Sequence, residues 1–484
     1  MAREGLGRYI SVLLRGGKLK WFLVSVAIFN VFLQSYFYYI RSNTVTGDAK
    51  SAEAPSATFN WRAMLERHPE LIRVEKKLQG AREYIQAHGT KDMMTSAIPL
   101  LVFGYQRGGS SFAGKIISKH PASFYWFEPL KGPIRDLYGE PKLGVETLPI
   151  QYSIWRNGSI RHIPQYESDA LTAEIAHVMR CELSQLSMKT LGRHGYIHAS
   201  ESLKNYNQCF NYQASGIKLA ITCDELETEF CPNLSAEYTT KEAHLCRQKL
   251  NEVLHNNVTG TGYDLDRLNR LRMCTEKLWT IMKQCIPEVQ FRCDRSVIRV
   301  AKIIRTSMET VVDLLIKYPS ILVVHLLRDP RGILRSRLSL KYMRSEKLSE
   351  EARHLCTSML YDIRIRRRLE KMFTKNFLTL RYENMAENPG QAAREIYELM
   401  AEDMPQNMEE SLTQMVQADA DIGGAFGLTR ANGSATANAW KGMSVYELRL
   451  IDLECKELYA EAGYTESFVL DKSKGFIRRD SPLE

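Results

Sequence analysis

The stretch AIPLLVFGYQRGGSSFAGKIISKH, residues 97–120, constrains the architecture of this chain more than any other. An apolar run ends in a glycine-rich loop, and the loop opens into a helical pattern that stops near Pro121. Apolar residues at successive positions fit a strand buried on both faces, as in a parallel sheet covered by helices. Gly104 and Gly109 keep the G-x-x-x-x-G spacing of a phosphate-binding loop, with Ser111 at its hydroxyl position. The lysine that should follow the second glycine is absent. Ser110 stands there, and the nearby cation is Arg107, three residues earlier.

A second unit of the same kind lies far downstream. SILVVHLL, residues 320–327, reads as a buried strand, breaks at RDPRG and continues as the helical ILRSRLSLKYMR. FLTLRYENM reads as another strand followed by helix, and SVIRVAKIIR is a shorter apolar run between mostly helical stretches such as YDLDRLNRLRMCTEKLWTIMKQC. Strands alternating with helices predict an α/β fold with a central parallel sheet flanked by helices. Ligands of such sheets bind at the carboxyl ends of the strands, where helix N-termini supply N–H donors. Without the lysine, and without a clear acidic partner strand, a Mg²⁺-dependent nucleotide hydrolase is disfavoured.

The N-terminus carries its own signal. Trp21 to Ile40 is a run of 20 uncharged residues, which at about 1.5 Å per residue just spans a ~30 Å hydrocarbon layer. Arg3, Arg8, Arg15, Lys18 and Lys20 precede it and only Arg41 follows closely, so the basic side should stay cytoplasmic. The expected organisation is a cytoplasmic tail (1–20), a transmembrane signal anchor (21–40), a stem (41–95), a lumenal domain (96–475) and a flexible tail (476–484). Four N-x-S/T sequons, at Asn157, Asn233, Asn257 and Asn432, lie beyond the anchor. All 10 cysteines do too, eight of them between Cys181 and Cys293, which predicts disulfides in the middle segment. A metal site is not expected: no C-x-x-C pair occurs, and the His194/His198 pair lacks the zincin glutamate. The net charge of +9 favours an anionic partner without choosing one.

RGGSSFAGKIISKHPASFYWFEPL resembles the 5′-phosphosulfate loop of the Golgi carbohydrate 6-O-sulfotransferases, the galactose, N-acetylglucosamine and N-acetylgalactosamine family. The match comprises Arg107, Gly109, Ser110, Ser111, Phe112, His120, Pro121, Phe124, Tyr125, Phe127, Glu128 and Pro129. LLRDPRGILRSR resembles the family's 3′-phosphate element, with Arg328 and Ser336 in place, and LRYENMAENP and Trp440-Lys441 follow in order. The resemblance covers residues 96–465 and departs at Gly108, usually Thr or Ser, and at Lys441, usually Arg. It implies a P-loop-like sulfotransferase fold, a Golgi location, and 3′-phosphoadenosine 5′-phosphosulfate as the donor, with no metal required. It further implies a glycan or glycosaminoglycan acceptor, and a homodimer is left open; nucleic acid is not an expected partner.

The donor-binding set is then Gln106, Arg107, Gly108, Gly109, Ser110, Ser111, Phe112, Arg328, Ser336 and Trp440. Arg107, with its forked donors, takes over anion neutralisation from the missing lysine. Glu128 is the expected general base, its pKa raised by the apolar FYWF before it. The competing reading makes Glu128 a structural carboxylate paired with Arg107 or Arg135. Core packing competes for Trp440, and a non-catalytic glycosaminoglycan- or nucleotide-binding protein on the same scaffold competes for the whole chain.

Overall fold

The computed structural model describes residues 61–88, 97–139, 154–155, 157–192, 197–212, 216–232, 240–256, 262–416, 432–471 and 475–478. The chain divides into two units, Met1–Asn60 and Trp61–Glu484. The expected tail and anchor, with the stem up to residue 60, lie outside the described residues, among which no helix is long and apolar enough to cross a membrane. Asn233 and Asn257 also lie outside them.

Five strands form one sheet: β1 (Ile98–Phe103), β2 (Ser123–Phe127), β3 (Ile298–Ile303), β4 (Leu322–Leu327) and β5 (Phe377–Arg381). Their order is β2-β3-β1-β4-β5 and every pairing is parallel. Central β1 pairs Leu100 with Val300 on one side and with Leu322 on the other. All residues of β2 and β3 are buried, as their apolar runs require. After β1 the chain moves outward to β2, whereas after β4 it moves the other way to β5. The order therefore reverses between β1 and β4, and a crevice at that reversal is where a doubly wound sheet binds ligands.

Helix α1 (Ser110–Ser118) follows β1 and buries Phe112, Ala113, Ile116 and Ile117 against Leu100, Val102, Tyr125 and Phe127. Helix α2 (Pro330–Ser339) follows β4. Asp329 caps it by accepting from Arg331 N, and Pro330 occupies the first turn, where a missing N–H costs nothing. Helix α3 (Leu348–Glu370) packs along α4 (Val445–Ala462), and Cys356–Cys455 ties the two.

The long segment between β2 and β3 is helical and has a small apolar cluster of its own around Leu250, Leu268 and Leu271. A cluster that small benefits from covalent clamps. Cys209–Cys285, Cys223–Cys274 and Cys231–Cys246 supply them, and Cys181–Cys293 closes the base. The disulfides expected in the middle segment are therefore present, and no cysteine is free among the described residues.

Residues 61–88, assigned to the stem, form helices that belong to the folded unit: Leu71, Val74 and Leu78 are buried, Lys77 bonds Asp313 at 2.7 Å and Arg368 bonds Glu75 at 2.9 Å. Their apolar positions recur at helical spacing, which a free stem would not need. At the other end, Phe468–Asp471 and Gly475–Arg478 pair as an antiparallel hairpin, which carries order into the expected tail.

Candidate active site

The glycine loop leaves β1 beside the reversal point. Gly108 N donates to Tyr105 O at 2.8 Å, closing a tight turn. A Cβ on Gly108 would meet that carbonyl at 2.9 Å, so the serine or threonine usual in the resembling family does not fit this turn unchanged. Gly109 has φ +91, and a Cβ there would lie 2.1 Å from the Tyr382 ring. Only glycine satisfies both demands. Arg107 also adopts a left-handed φ of 69, a strained choice for a side-chain-bearing residue.

The loop's carbonyls are held on the protein side. Arg107 O accepts from Arg328 Nη1 at 2.9 Å, and Gln106 O accepts from Arg337 Nε at 3.4 Å and Nη2 at 3.3 Å. The first N–H groups of α1 have no acceptor within their helix, so the loop and the helix start together form an anion cradle. Ser110 is buried and Ser111 half-buried at that start. The Gln106 amide oxygen is buried without a hydrogen-bond partner. The Phe112 side chain lies in the apolar core, because the helix turns that position towards the sheet.

The second motif closes onto the first. Arg328 leaves β4, stacks 4.1 Å from the Tyr382 ring centroid and donates to Thr436 O at 3.4 Å. Its Nε is buried without a protein partner. Among the described residues Arg328 makes no ion pair with its neighbour Asp329. Asp329 is taken by Arg331 at 2.6 Å. Ser336, one face of α2 away, accepts from Arg107 Nε at 3.0 Å, so both motifs share a direct side-chain contact.

Glu128 follows β2 with a left-handed φ of 54, and its N–H donates to Lys302 O at 3.0 Å. Its carboxylate is buried. Oε1 accepts from Lys302 Nζ at 2.7 Å, and Oε2 from Arg305 Nε at 3.1 Å and Nη2 at 2.9 Å. Burial would raise its pKa, but the two cations outweigh burial and hold it below the ordinary glutamate value. The expected upward shift is thus reversed, and the partners are Lys302 and Arg305 rather than Arg107 or Arg135. Lys302 also lies 3.6 Å from the Phe127 ring centroid, and burial lowers its own pKa against the pull of Glu128.

Trp440 is the last member of the expected donor set. It is buried, with the Arg331 guanidinium 3.8 Å over its ring, so that face is not open to a ligand. Arg331 in turn stands 4.9 Å over the Tyr459 ring, which builds Trp440 into the core beside α4.

Four residues escaped the sequence reading: Lys302, Arg305, Arg337 and Tyr382. A lysine inside the apolar run IRVAKI is the one available signal, since a charged strand residue flanked by aliphatics must find a counter-ion. Nothing in the sequence pairs Arg337 with Gln106, 231 residues away.

The five-stranded parallel sheet brings the loops after β1 and β4 together where its strand order reverses. A profile of the Sulfotransferase family matches residues 218–406, which include Arg328 and Ser336 but not the glycine loop. Carbohydrate sulfotransferase 2 of Mus musculus is 22% identical over 428 residues, or 78% of this chain and 68% of that protein. Both matches are to sulfotransferases. Among solved structures, the sulfotransferase domain from the Synechococcus olefin synthase covers 78% of this chain and 98% of its own length, with 13% identity and a TM-score of 0.35. The sulfotransferase from Mycobacterium avium gives 80%, 82%, 14% and 0.33. Overlaps this loose add nothing to the fold, which rests on its strand order.

Proposed function

We propose that this chain is a sulfotransferase that takes the sulfuryl group from 3′-phosphoadenosine 5′-phosphosulfate and places it on a 6-hydroxyl of a glycan sugar. The observation that carries the reading is the meeting of Arg107, Arg328 and Ser336 at one crevice, with Arg328 Nε buried and unpaired. A single ligand with an anion at each end fits that crevice, and the absence of a lysine in the loop suits a donor that carries no β,γ-phosphate.

Bound there, the donor would supply an electrophilic sulfur with a 5′-phosphate as leaving group. Arg328 and Ser336 would hold the 3′-phosphate. The loop N–H groups with Ser110, Ser111 and Arg107 would hold the 5′ anion and neutralise charge as it develops on the leaving oxygen. Glu128 would take the proton of the acceptor hydroxyl. Lys302 and Arg305 keep it ionised at neutral pH, and each carboxylate oxygen retains lone-pair capacity for a further donor. The likeness to a murine carbohydrate sulfotransferase supports a carbohydrate acceptor. The apolar run at 21–40 and the sequon-bearing chain after it support a type II Golgi membrane protein.

The test is incubation of the purified protein with a radiolabelled sulfate donor and a panel of neutral and acidic glycans, followed by linkage analysis. Label at C6 of one sugar is expected. Nucleotide binding without transfer to any glycan would favour the non-catalytic binder. Stabilisation by Mg-ATP but not by adenosine 3′,5′-bisphosphate would overturn the reading.

A further inference from the structure

The two donor motifs are mechanically one frame, and Arg337, which closes the second motif directly after Ser336, holds it. We infer that Arg337 is a positioning residue for the 5′-anion loop: clamped by Glu351, it fixes the Gln106 carbonyl and so aims the loop's donors at the sulfated end of the nucleotide. This rests on the donor assignment above.

Arg337 sits on α2 next to Ser336 and is buried. Its guanidinium spans two partners. Nη1 bonds Glu351 Oε2 on α3 at 3.2 Å, and Nε and Nη2 converge on Gln106 O. Arg328 grips the next carbonyl, Arg107 O, and Gly108 N grips the one before, Tyr105 O. Three consecutive carbonyls are therefore anchored from the protein side. That fixes the peptide planes between them, because each planar unit places its N–H opposite its carbonyl. Releasing Gln106 O frees one plane to rotate, and a left-handed Arg107 has an incentive to relax. Ser336 and Arg328 contact the nucleotide; Arg337 acts only through the loop.

The consequence is asymmetric and measurable with partial ligands. On the full-length protein, binding of 5′-AMP and of 3′-AMP is measured by calorimetry for wild type, Arg337→Met, Arg337→Lys and Glu351→Gln. Arg337→Met is expected to weaken 5′-AMP about tenfold, the loss of charge-assisted bonds to a carbonyl, and to leave 3′-AMP within about twofold. Arg337→Lys, with one donor group in place of the fork, should fall between. In a cycle with Arg107→Met, the two losses on 5′-AMP should be less than additive, since both act on one loop. Should Arg337→Met not fold, the lysine and Glu351→Gln variants carry the same selective expectation. Equal weakening of both nucleotides, or of neither, overturns the positioning role. Wild type that binds neither overturns the donor assignment instead.

Discussion

Arg328 donates to the main-chain carbonyl of Arg107 at 2.9 Å across 221 residues of chain. The contact lies where the strand order reverses, so the loops after β1 and β4 meet there by topology and not by sequence proximity. Arg107 returns the contact through Ser336. One nucleotide can then be gripped at both ends by groups that already hold each other, which lowers the ordering cost of binding.

Gly109 tolerates no side chain. Gly109→Ala would place a methyl group within the Tyr382 ring and strain a φ of +91. The variant is expected to keep its helical circular dichroism while losing the thermal shift that adenosine 3′,5′-bisphosphate produces in wild type. A full shift in the variant would contradict the close approach of Tyr382 to the loop.

Glu128→Gln should keep donor binding and lose turnover by about 10²–10⁴, the usual share of a general base. Two cations hold the glutamate's pKa below 4.5, so wild-type kcat/KM should not fall through a carboxylate inflection above that value as pH drops. The same depression contributes stability above the unfolded pKa, and that stability is lost as pH falls through the folded one. Removing its charge also leaves Lys302 and Arg305 short of an anion, so a lower melting temperature accompanies the kinetic loss. An activity inflection near pH 6 assigned to Glu128 would contradict its pairing.

Asp362 offers a pH test in the core. Burial raises its pKa to about 8, while Met308 N donates to Oδ1 at 2.7 Å and Tyr105 Oη lies 3.0 Å from Oδ2. Tyr105 Oη also lies 3.2 Å from His325 Nε2, and burial keeps that imidazole neutral. The Tyr105 phenol donates to Asp362 Oδ2, a bond that a neutral carboxyl still accepts. A raised carboxyl pKa means that stability is greatest below the unfolded value of 3.8 and declines as pH rises towards 8. Asp362→Asn supplies the same donor and acceptor without the titration. Its melting temperature should vary less between pH 5 and pH 8 in paired scans, the wild-type slope reaching at most about 1.4 kcal/mol per unit. Parallel pH profiles would refute a neutral Asp362.

Trp440→Ala should act on stability more than on the donor. Losing a buried indole costs about 3–5 kcal/mol, and it removes the ring under Arg331. Denaturant titration is expected to show that cost, with donor KM within about threefold. A selective rise in donor KM at unchanged stability would return Trp440 to the nucleotide site.

Local pattern carried much of this protein. The apolar runs of β1 and β4, the glycine spacing after β1 and the proline at the start of α2 are short-range features whose conformational preferences do not depend on distant partners, so the parallel α/β frame and the strand–loop–helix units after β1 and β4 were readable from residues alone. Cysteine density likewise placed four of the disulfides in the helical segment between β2 and β3. What tertiary structure decided is which side chains face one another. Lys302 and Arg305 reach Glu128 because β3 inserts between β1 and β2, reversing the carboxyl's expected pKa shift. Trp440 is covered because Arg331 folds over it, and Arg337 finds Gln106 because α2 begins where the strand order reverses. Electrostatics and burial at a site depend on neighbours brought together over hundreds of residues, and linear spacing holds no record of that distance.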